Sequence, residues 1–213
     1  SYAISKAKAG DTLSINDGVY TIGQLKIPAG VSLTSTSRDH SRVKLQPNAD
    51  LGSKPFIDLS SSLPGSSGDQ SISHIELNGI NGGYRAITAI NVKNRNNVKI
   101  LHCYMHDFYG SNEETQYTIK VESSYIDRTT RWWEYLPADV QAPGIDDNLD
   151  KHWPKKPVMN FEFAYNTIKD CFAISPFNLK NSTFHHNDVD NSSVGGWCMK
   201  ATASFLWNVD IYD

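Results

Sequence analysis

The sequence predicts an all-β solenoid, in which short strands stack coil upon coil around one continuous core. A six-residue pattern recurs along the chain: a large apolar residue, two variable residues, Asn or Cys, one variable residue and a second apolar residue. Upstream of each copy, apolar and polar residues alternate, which is typical of a strand with one buried face. Helical signals are sparse, and Gly, Asn, Asp and Ser punctuate the chain at the spacing of short strands. A unit that recurs in register indicates a solenoid rather than an ordinary sandwich.

The copies of the pattern are separated by unequal lengths of chain. They lie at 75–80, 100–105, 163–168 and 184–189, and a fifth begins at Ile211. Aligned on their Asn or Cys position, the copies place Asn78, Cys103, Asn166 and Asn187 in one buried column. Asn tolerates left-handed turns and forms ladders between stacked strands. The 63 residues from Cys103 to Asn166 (166 − 103) predict a long insertion in that coil.

The whole chain, 1–213, is predicted to form one domain of about seven coils. Residues 1–50 are expected to form the amino-terminal cap and first coils, and 125–158 the insertion, a long aromatic-rich loop. Since the pattern stops within a repeat, we expect that the chain is the amino-terminal part of a longer protein. Its carboxyl-terminal end then continues or is capped by more protein, because an open solenoid end exposes unpaired strand edges.

Composition excludes several classes of protein. The net charge is −3 and the pI is about 6.1, which argues against a nucleic-acid partner. No apolar run reaches the length of a membrane span. The three cysteines are too few for a disulfide framework and do not have zinc-site spacing.

Several segments carry a resemblance to a known group of proteins. Residues 9–20, 24–27 and 30–35 resemble the amino-terminal coils of right-handed parallel β-helix proteins, and 181–191 is similar to their generic repeat. The resemblance is strongest to polysaccharide lyases of the chondroitinase B and alginate lyase group and their pectate lyase-like relatives. It implies an acidic polysaccharide substrate, a secreted or cell-surface location, catalytic Lys or Arg, and calcium held by acidic side chains. The fold also supports hydrolases, epimerases and adhesins, so it does not determine activity.

The alignment predicts a basic strip along one outward face. Lys93, Lys120, Glu122 and Lys200 are expected to lie on neighbouring coils. Such a strip suits an anionic polysaccharide, and a desolvated Lys can act as a base. We therefore expect Lys120 or Lys200 to be the catalytic base and Lys93 to bind substrate. Following the resemblance, Glu122 is the candidate calcium ligand.

A second outward column is rich in imidazole. His102, Tyr165 and His186 are predicted to align on successive coils, with His185 and Asp188 beside them. His with Tyr is an acid–base pair suited to lyase or hydrolase chemistry, and the column could also bind a metal. We take His102 and His186 as candidate catalytic residues, and Tyr165 and His185 as candidate substrate-binding residues.

The predicted insertion supplies the third group of candidates. Its aromatic side chains are expected either to stack on sugar rings or to pack the loop onto the solenoid. They are Trp132, Trp133, Tyr135 and Trp153.

Together these features predict a protein that acts on extracellular polysaccharide, as a lyase that cleaves uronic-acid-containing glycan by β-elimination. A non-catalytic carbohydrate-binding or adhesive module is the first alternative. The second is a glycoside hydrolase with paired carboxylates, for which Asp188, Asp190 and Asp210 are the nearest candidates.

Overall fold

The computed structural model describes residues 2–109, 118–123, 157–171, 174–176, 179–190 and 206–213. These residues form an all-β architecture, as the sequence predicts. A five-residue helix, α1 (Tyr2–Lys6), precedes the first strand, and a 3₁₀ turn, η1 (His40–Arg42), interrupts an early coil. Within the described ranges, no helix has the length and apolar character needed to cross a bilayer.

The strands belong to three parallel sheets, which the chain visits in the repeating order A, B, C. Sheet A contains β1 (Thr12–Ile15), β4 (Ser32–Ser35), β7 (Ser66–Ser73), β12 (Arg95–Leu101), β15 (Val158–Met159), β16 (Glu162–Ala164), β19 (Leu179–His185) and β21 (Leu206–Tyr212). Sheet B contains β2 (Gly18–Ile22), β5 (Val43–Pro47), β8 (Glu76–Asn78), β13 (Tyr104–His106), β17 (Thr167–Lys169) and β20 (Asp188–Asp190). Sheet C contains β3 (Leu25–Lys26), β6 (Ile57–Ser60), β11 (Ile90–Lys93), β14 (Ile119–Glu122) and β18 (Ile174–Pro176). Cyclic return to the same three parallel sheets is the pattern of a parallel β-helix.

A short antiparallel hairpin interrupts this order. It is formed by β9 (Ile80–Asn81) and β10 (Tyr84–Arg85), which project between sheets B and C. Gly82 occupies the turn with a φ of 58°, the left-handed conformation that glycine adopts without strain.

The core is built from columns of apolar side chains in register. On sheet C, strand pairing stacks Ile57, Ile90, Ile119 and Ile174, all buried. All four side chains therefore face the core. Each buried side chain of this size stabilises the fold by roughly 1.5–3 kcal/mol, but only because the adjacent coil covers it.

A buried ladder follows the corner between sheets A and B. The Oδ1 atom of Asn166 accepts from the Cys103 backbone N–H at 2.9 Å, and its Nδ2 donates to the Ile100 carbonyl at 2.9 Å. Asn187 repeats this on the next coil, where its Nδ2 donates to the Phe163 carbonyl at 2.9 Å. The predicted ladder is thus present at Asn166 and Asn187.

The predicted place of Asn78 in that ladder is wrong. Pairing of β8 with β13 sets Leu77 opposite Met105 and Asn78 opposite His106, so that Ile75 aligns with Cys103. The coils are therefore separated by 28 residues here (103 − 75), rather than the 25 expected. Asn78 instead caps a local turn, because its Oδ1 accepts from the Ile80 N–H at 2.9 Å.

A second ladder of Asn and Asp side chains runs along the outside of sheet A. Its members have φ between 43° and 56°: Asp69, Asn97, Asn160, Asn181 and Asn208. Asn97 donates to Asp69 at 2.7 Å and Asn160 donates to Asn97 at 2.8 Å. Asn and Asp are the non-glycine residues best suited to this conformation, which explains their recurrence.

The buried side chain of Arg95 forms hydrogen bonds to residues of several coils. Only 5% of the residue is exposed, and its guanidinium donates to the Ile27 and Ser60 carbonyls, the Ser61 hydroxyl and the Gln70 side chain. Burial lowers the pKa of Arg95. Hydrogen bonds to neutral oxygens therefore take the place of a direct ion pair at this buried cation.

The predicted insertion at 125–158 lies mostly outside the described residues. Val158 is an exception, because it already begins β15 and pairs with Leu179 of β19. The insertion therefore ends before Val158. The right-handed sense, the count of about seven coils and the extension beyond Asp213 stay predictions.

Candidate active site: a histidine-rich corner

The corner between sheets A and B carries a ring-bearing side chain on four coils. In each, the residue that follows the sheet A strand has a left-handed backbone, with φ between 51° and 57°; these residues are His74, His102, Tyr165 and His186. Among the other described non-glycine residues, Asn or Asp takes this conformation, with Arg38 as the one exception. Bulky side chains at positive φ are uncommon, and such outliers cluster at functional sites.

These four residues form a continuous stack, called here the corner ladder. Successive ring centroids are 4.8, 4.9 and 4.8 Å apart, with interplanar angles of 18°, 8° and 19°. The separation matches the spacing of paired strands, so the coil repeat itself sets the stacking distance. The predicted alignment of His102, Tyr165 and His186 is therefore present.

The stack limits what Tyr165 can do. Although 47% of the residue is exposed, His102 covers one face of its ring and His186 covers the other. A sugar therefore meets only the ring edge and the hydroxyl group. Tyr165 can hydrogen-bond a substrate but cannot provide a stacking platform.

A loop covers the beginning of the ladder. Residues 36–42 connect β4 to β5 and contain η1, and Asp39 caps that turn by accepting from the Ser41 N–H at 2.9 Å. His40 of this loop lies over sheet B, with its ring centroid 5.9 Å from that of Tyr104. The Nδ1 atoms of His40 and His74 are both buried without a hydrogen-bond partner among the described residues.

Sheet B presents a charged network beside the ladder. His106 Nδ1 lies 2.6 Å from Asp107, and its Nε2 lies 3.0 Å from Oε1 of Glu76. The same Glu76 oxygen is 2.6 Å from the Lys44 ammonium. Tyr104 stacks on the His106 ring, with centroids 4.7 Å apart. His106 is thus oriented by carboxylates at both ring nitrogens, and it in turn supports Tyr104.

Two groups at this corner have pKa values displaced in opposite directions. Burial, followed by the charges of His102, Arg38 and His40, lowers the pKa of His74 below its ordinary value of 6.5. Burial, followed by the Glu76 and Asp107 carboxylates, raises the pKa of Tyr104 above 10. At neutral pH this favours an unprotonated imidazole and a protonated phenol in one place. These are the protonation states that a general base and a general acid require.

Sheet A closes the other side of the corner. His185 lies 3.4 Å from Glu162, whose other carboxylate oxygen is 2.7 Å from Lys99. The hydrogen bond from Lys99 is the main reason that the pKa of Glu162 is lowered. His185 is 8% exposed and stacks on Tyr212 at 5.1 Å, so little of its side chain is accessible. Its role in substrate binding stays a prediction.

Six of the seven histidines belong to this connected surface: His40, His74, His102, His106, His185 and His186. The sequence interpretation missed His74 because the 75–80 copy was aligned three residues out of register. An alignment that sets His74 opposite His102 and Leu77 opposite Met105 would have placed His74 in the same column. The sequence interpretation also gives no role to Tyr104 or His106.

The predicted basic strip is present on sheet C where the structure describes it. Pairing sets Lys93 opposite Glu122, and the Glu122 carboxylate lies 3.5 Å from Lys93 and 3.1 Å from Lys120. Both lysines are therefore ion-paired to one carboxylate. An ammonium in an ion pair has no lone pair with which to accept a proton, so this arrangement suits binding better than base catalysis.

Glu122 alone does not fit the calcium site that the resemblance implies. Calcium takes six to eight oxygen ligands, whereas Glu122 lies between two ammonium groups. In the part of the chain that the structure describes, no group of three or more His, Cys, Asp or Glu side chains is arranged to hold a metal ion.

The remaining candidates divide into two groups. Asp188 and Asp190 lie on β20 in sheet B, whereas Asp210 lies on β21 in sheet A, so the three do not share one strand face. Lys200, Trp132, Trp133, Tyr135 and Trp153 lie outside the described residues.

Comparisons with protein-family models, curated proteins and solved structures found no match to this chain. The fold and site define a parallel β-solenoid with a histidine-rich corner. Its function is therefore argued from the chemistry of that corner.

Proposed function

We propose that this chain acts on a secreted or cell-surface acidic polysaccharide and cleaves it by β-elimination at the histidine-rich corner. The observation that carries the proposal is the opposite displacement of the His74 and Tyr104 pKa values within one corner, where both residues are half-buried. The two residues are close in the fold: Tyr104 pairs with Glu76, two residues after His74, and His40 acts on both.

Each side chain has a defined role in the proposed step. The neutral His74 imidazole removes the proton on the carbon α to the uronate carboxyl group. The electron pair forms a carbon–carbon double bond as the glycosidic carbon–oxygen bond breaks. Tyr104 donates its phenolic proton to the departing oxygen. Proton exchange with water then restores both residues. No step consumes an oxidant or requires a metal ion.

The surrounding residues orient this pair. Tyr104 is supported by the stacked His106 ring, which carboxylates orient at both nitrogens. The exposed edges of the corner ladder continue away from His74 along the solenoid, where they can hydrogen-bond successive sugars of a polymer. The resemblance of the amino-terminal coils to polysaccharide lyases supports the reaction class, and the ion-paired lysines on sheet C offer a second place for polymer binding.

The proposal is tested by incubating the chain with alginate, pectate or chondroitin and following the ultraviolet absorbance of unsaturated uronides. We expect His74→Asn and Tyr104→Phe each to lower kcat/KM by roughly 10²–10⁴, the usual contribution of a general acid or base. Asn suits the positive φ at residue 74, which protects the backbone of that variant. The matched control is Tyr84→Phe, an exposed tyrosine on the hairpin.

Other outcomes distinguish the alternatives. Polymer binding without cleavage favours a carbohydrate-binding module, and new reducing ends without the absorbance favour a hydrolase. Full activity in both the His74 and Tyr104 variants, together with loss of activity in Lys120→Ala or Lys200→Ala, would indicate that the catalytic base lies on the basic strip.

A further inference from the structure

Two adjacent imidazoles meet through their equivalent nitrogens at the far end of the corner ladder. His185 is the last residue of β19 and His186 follows it, and their Nδ1 atoms lie 2.9 Å apart. The two ring planes cross at 83°, with centroids 5.1 Å apart. Among the residues that the structure describes, no other two histidines bring ring nitrogens this close. The proposed elimination does not use this contact, so its chemistry is a separate question.

A carboxylate determines which nitrogen of His185 carries the proton. The Nε2 atom of His185 lies 3.4 Å from Oε1 of Glu162, and the other oxygen of Glu162 lies 2.7 Å from the Lys99 ammonium. An ionised carboxylate can only accept a hydrogen bond, so Nε2 of His185 carries the proton and Nδ1 presents a lone pair. Carboxylates orient the histidine ligands of metal ions in this way.

His186 completes the contact from the exposed side. Its Nδ1 must supply the proton that lies between the two rings, because Nδ1 of His185 accepts. His186 is exposed, so its proton can move to Nε2 through water without a change in charge. Both Nδ1 atoms then present lone pairs at the same place.

Stacked tyrosines hold both rings in position. The Tyr212 ring lies 5.1 Å from that of His185 with an interplanar angle of 4°, and the Tyr165 ring lies 4.8 Å from that of His186 at 19°. Tyr165 also meets the edge of His185 at 5.3 Å. Side chains held in this way lose little conformational entropy when they bind a ligand.

We propose that His185 and His186 form a binding site for a divalent transition-metal ion, with copper(II) preferred, through their two Nδ1 atoms. Imidazole nitrogens are ligands of copper, nickel and zinc. Nitrogens about 2.0 Å from a metal are about 2.8 Å apart at a right angle and about 3.3 Å apart in a tetrahedron. The observed 2.9 Å matches the right angle that copper(II) and nickel(II) favour, and copper(II) binds more tightly in the usual order of affinities.

This site differs from the calcium site considered above. Its ligands are neutral nitrogens rather than carboxylate oxygens, and water completes the coordination of the ion. It contains two protein ligands, which agrees with the finding that no group of three is arranged for a metal in the described part of the chain. It also does not depend on the proposed elimination.

The experiment is a titration of the metal-free chain with copper(II), followed by calorimetry and by electron paramagnetic resonance of the one-to-one complex. We expect one tight ion with two coordinated imidazole nitrogens, and weaker binding of zinc(II). His186→Asn should lower the copper affinity by about a hundredfold, because even residues that only orient a metal ligand contribute about 10- to 100-fold. Asn suits the backbone of residue 186, where φ is 51°.

His102→Asn is the matched control for metal binding. It removes an imidazole from the same ladder, at a φ of 53°, but His102 has no imidazole nitrogen at hydrogen-bond distance among the described residues. Its copper affinity should equal that of the wild type. Glu162→Gln should weaken copper binding by about tenfold and keep two coordinated nitrogens, as expected of a positioning residue.

Several results would overturn the site. They are equal losses of affinity in His186→Asn and His102→Asn, full affinity in His186→Asn, and zinc(II) binding as tight as copper(II). If His186→Asn does not fold, the wild-type spectrum decides, because fewer than two coordinated imidazole nitrogens excludes the pair. Full affinity in Glu162→Gln would remove Glu162 from the site. None of these measurements requires polymer cleavage, so the metal site and the proposed elimination can fail separately.

Discussion

Asn166 and Asn187, one coil apart, are joined by two hydrogen bonds to a single oxygen. The Oδ1 atom of Asn187 accepts from the backbone N–H of Asn166 at 3.0 Å and from its Nδ2 at 3.1 Å. Asn166 is 1% exposed, so these polar groups have no access to bulk water. The two side chains therefore provide hydrogen-bond partners for polar backbone groups at this buried turn.

Asn166→Leu should lower the free energy of unfolding by about 3 kcal/mol. It leaves the Cys103 N–H buried without an acceptor, at a cost of roughly 1–3 kcal/mol, and removes the amide donor from the Ile100 carbonyl. Urea unfolding followed by circular dichroism measures the change. Asn48→Leu, at an exposed position outside the left-handed region, is the control and should cost less. Equal losses in the two variants would show that burial of the hydrogen bonds is not what matters.

Arg95→Met should also destabilise the chain by roughly 3 kcal/mol. Methionine can fill part of the volume but leaves the Ile27 and Ser60 carbonyls without donors. Arg95→Lys should recover only part of this loss, since one ammonium cannot reproduce the planar fork. A midpoint of thermal unfolding equal to that of the wild type in the methionine variant would contradict this account.

Stability should fall as the pH drops below about 6.5, in part because of His74. The pKa of His74 is lowered in the folded chain, so the unfolded chain takes up a proton first. The resulting stabilisation is complete above the pKa that His74 has in the unfolded chain. It is lost as the pH falls toward the pKa that His74 has in the folded chain. The charged groups around the ring are His102, Arg38 and His40. Urea midpoints at about pH 7.5 and about pH 5.5 should differ less in His74→Asn than in the wild type.

Cys103 and Cys171 should not react with thiol reagents in the folded chain. Burial raises the pKa of both thiols to about 12, so thiolate is scarce at neutral pH. Peptide-level mass spectrometry after alkylation should find both residues unmodified in buffer and modified in denaturant. Rapid labelling of either residue under native conditions would mean that its coil opens locally.

Lys120→Ala is expected to leave β-elimination within about twofold of the wild type, whereas Tyr104→Phe should nearly abolish it. Lys120 is ion-paired to Glu122 on sheet C, and Tyr104 lies on sheet B. Initial rates on the polymer that the wild-type chain cleaves decide between the two surfaces. The opposite order of effects would restore Lys120 as the candidate base.

The register of the later coils could be predicted from sequence, because the spacing of apolar residues and Asn is the same in each. Pairing of Phe163 with Ile100 and Phe184 agrees with that alignment. The same rule failed at 75–80, since a turn asparagine, Asn78, satisfies the pattern at the wrong offset.

The candidate site was only partly predictable. Alignment placed His102 and Tyr165 in one column, but it could not show that their rings cover each other's faces. Nor could it show that the loop at 36–42 buries part of His74. The loop does not belong to the repeat, so its contacts depend on tertiary packing that no periodic pattern encodes.

The chain leaves sheet C at Ser123 and pairs again in sheet A at Val158, where the next coil begins. Because neighbouring strands fix both points, the register of the coils does not depend on the number of residues between them. Exchange of that stretch for a flexible one of twice the length would cost only about 0.6 kcal/mol of closure entropy. A change in the length of this stretch should therefore leave the histidine-rich corner between sheets A and B in place.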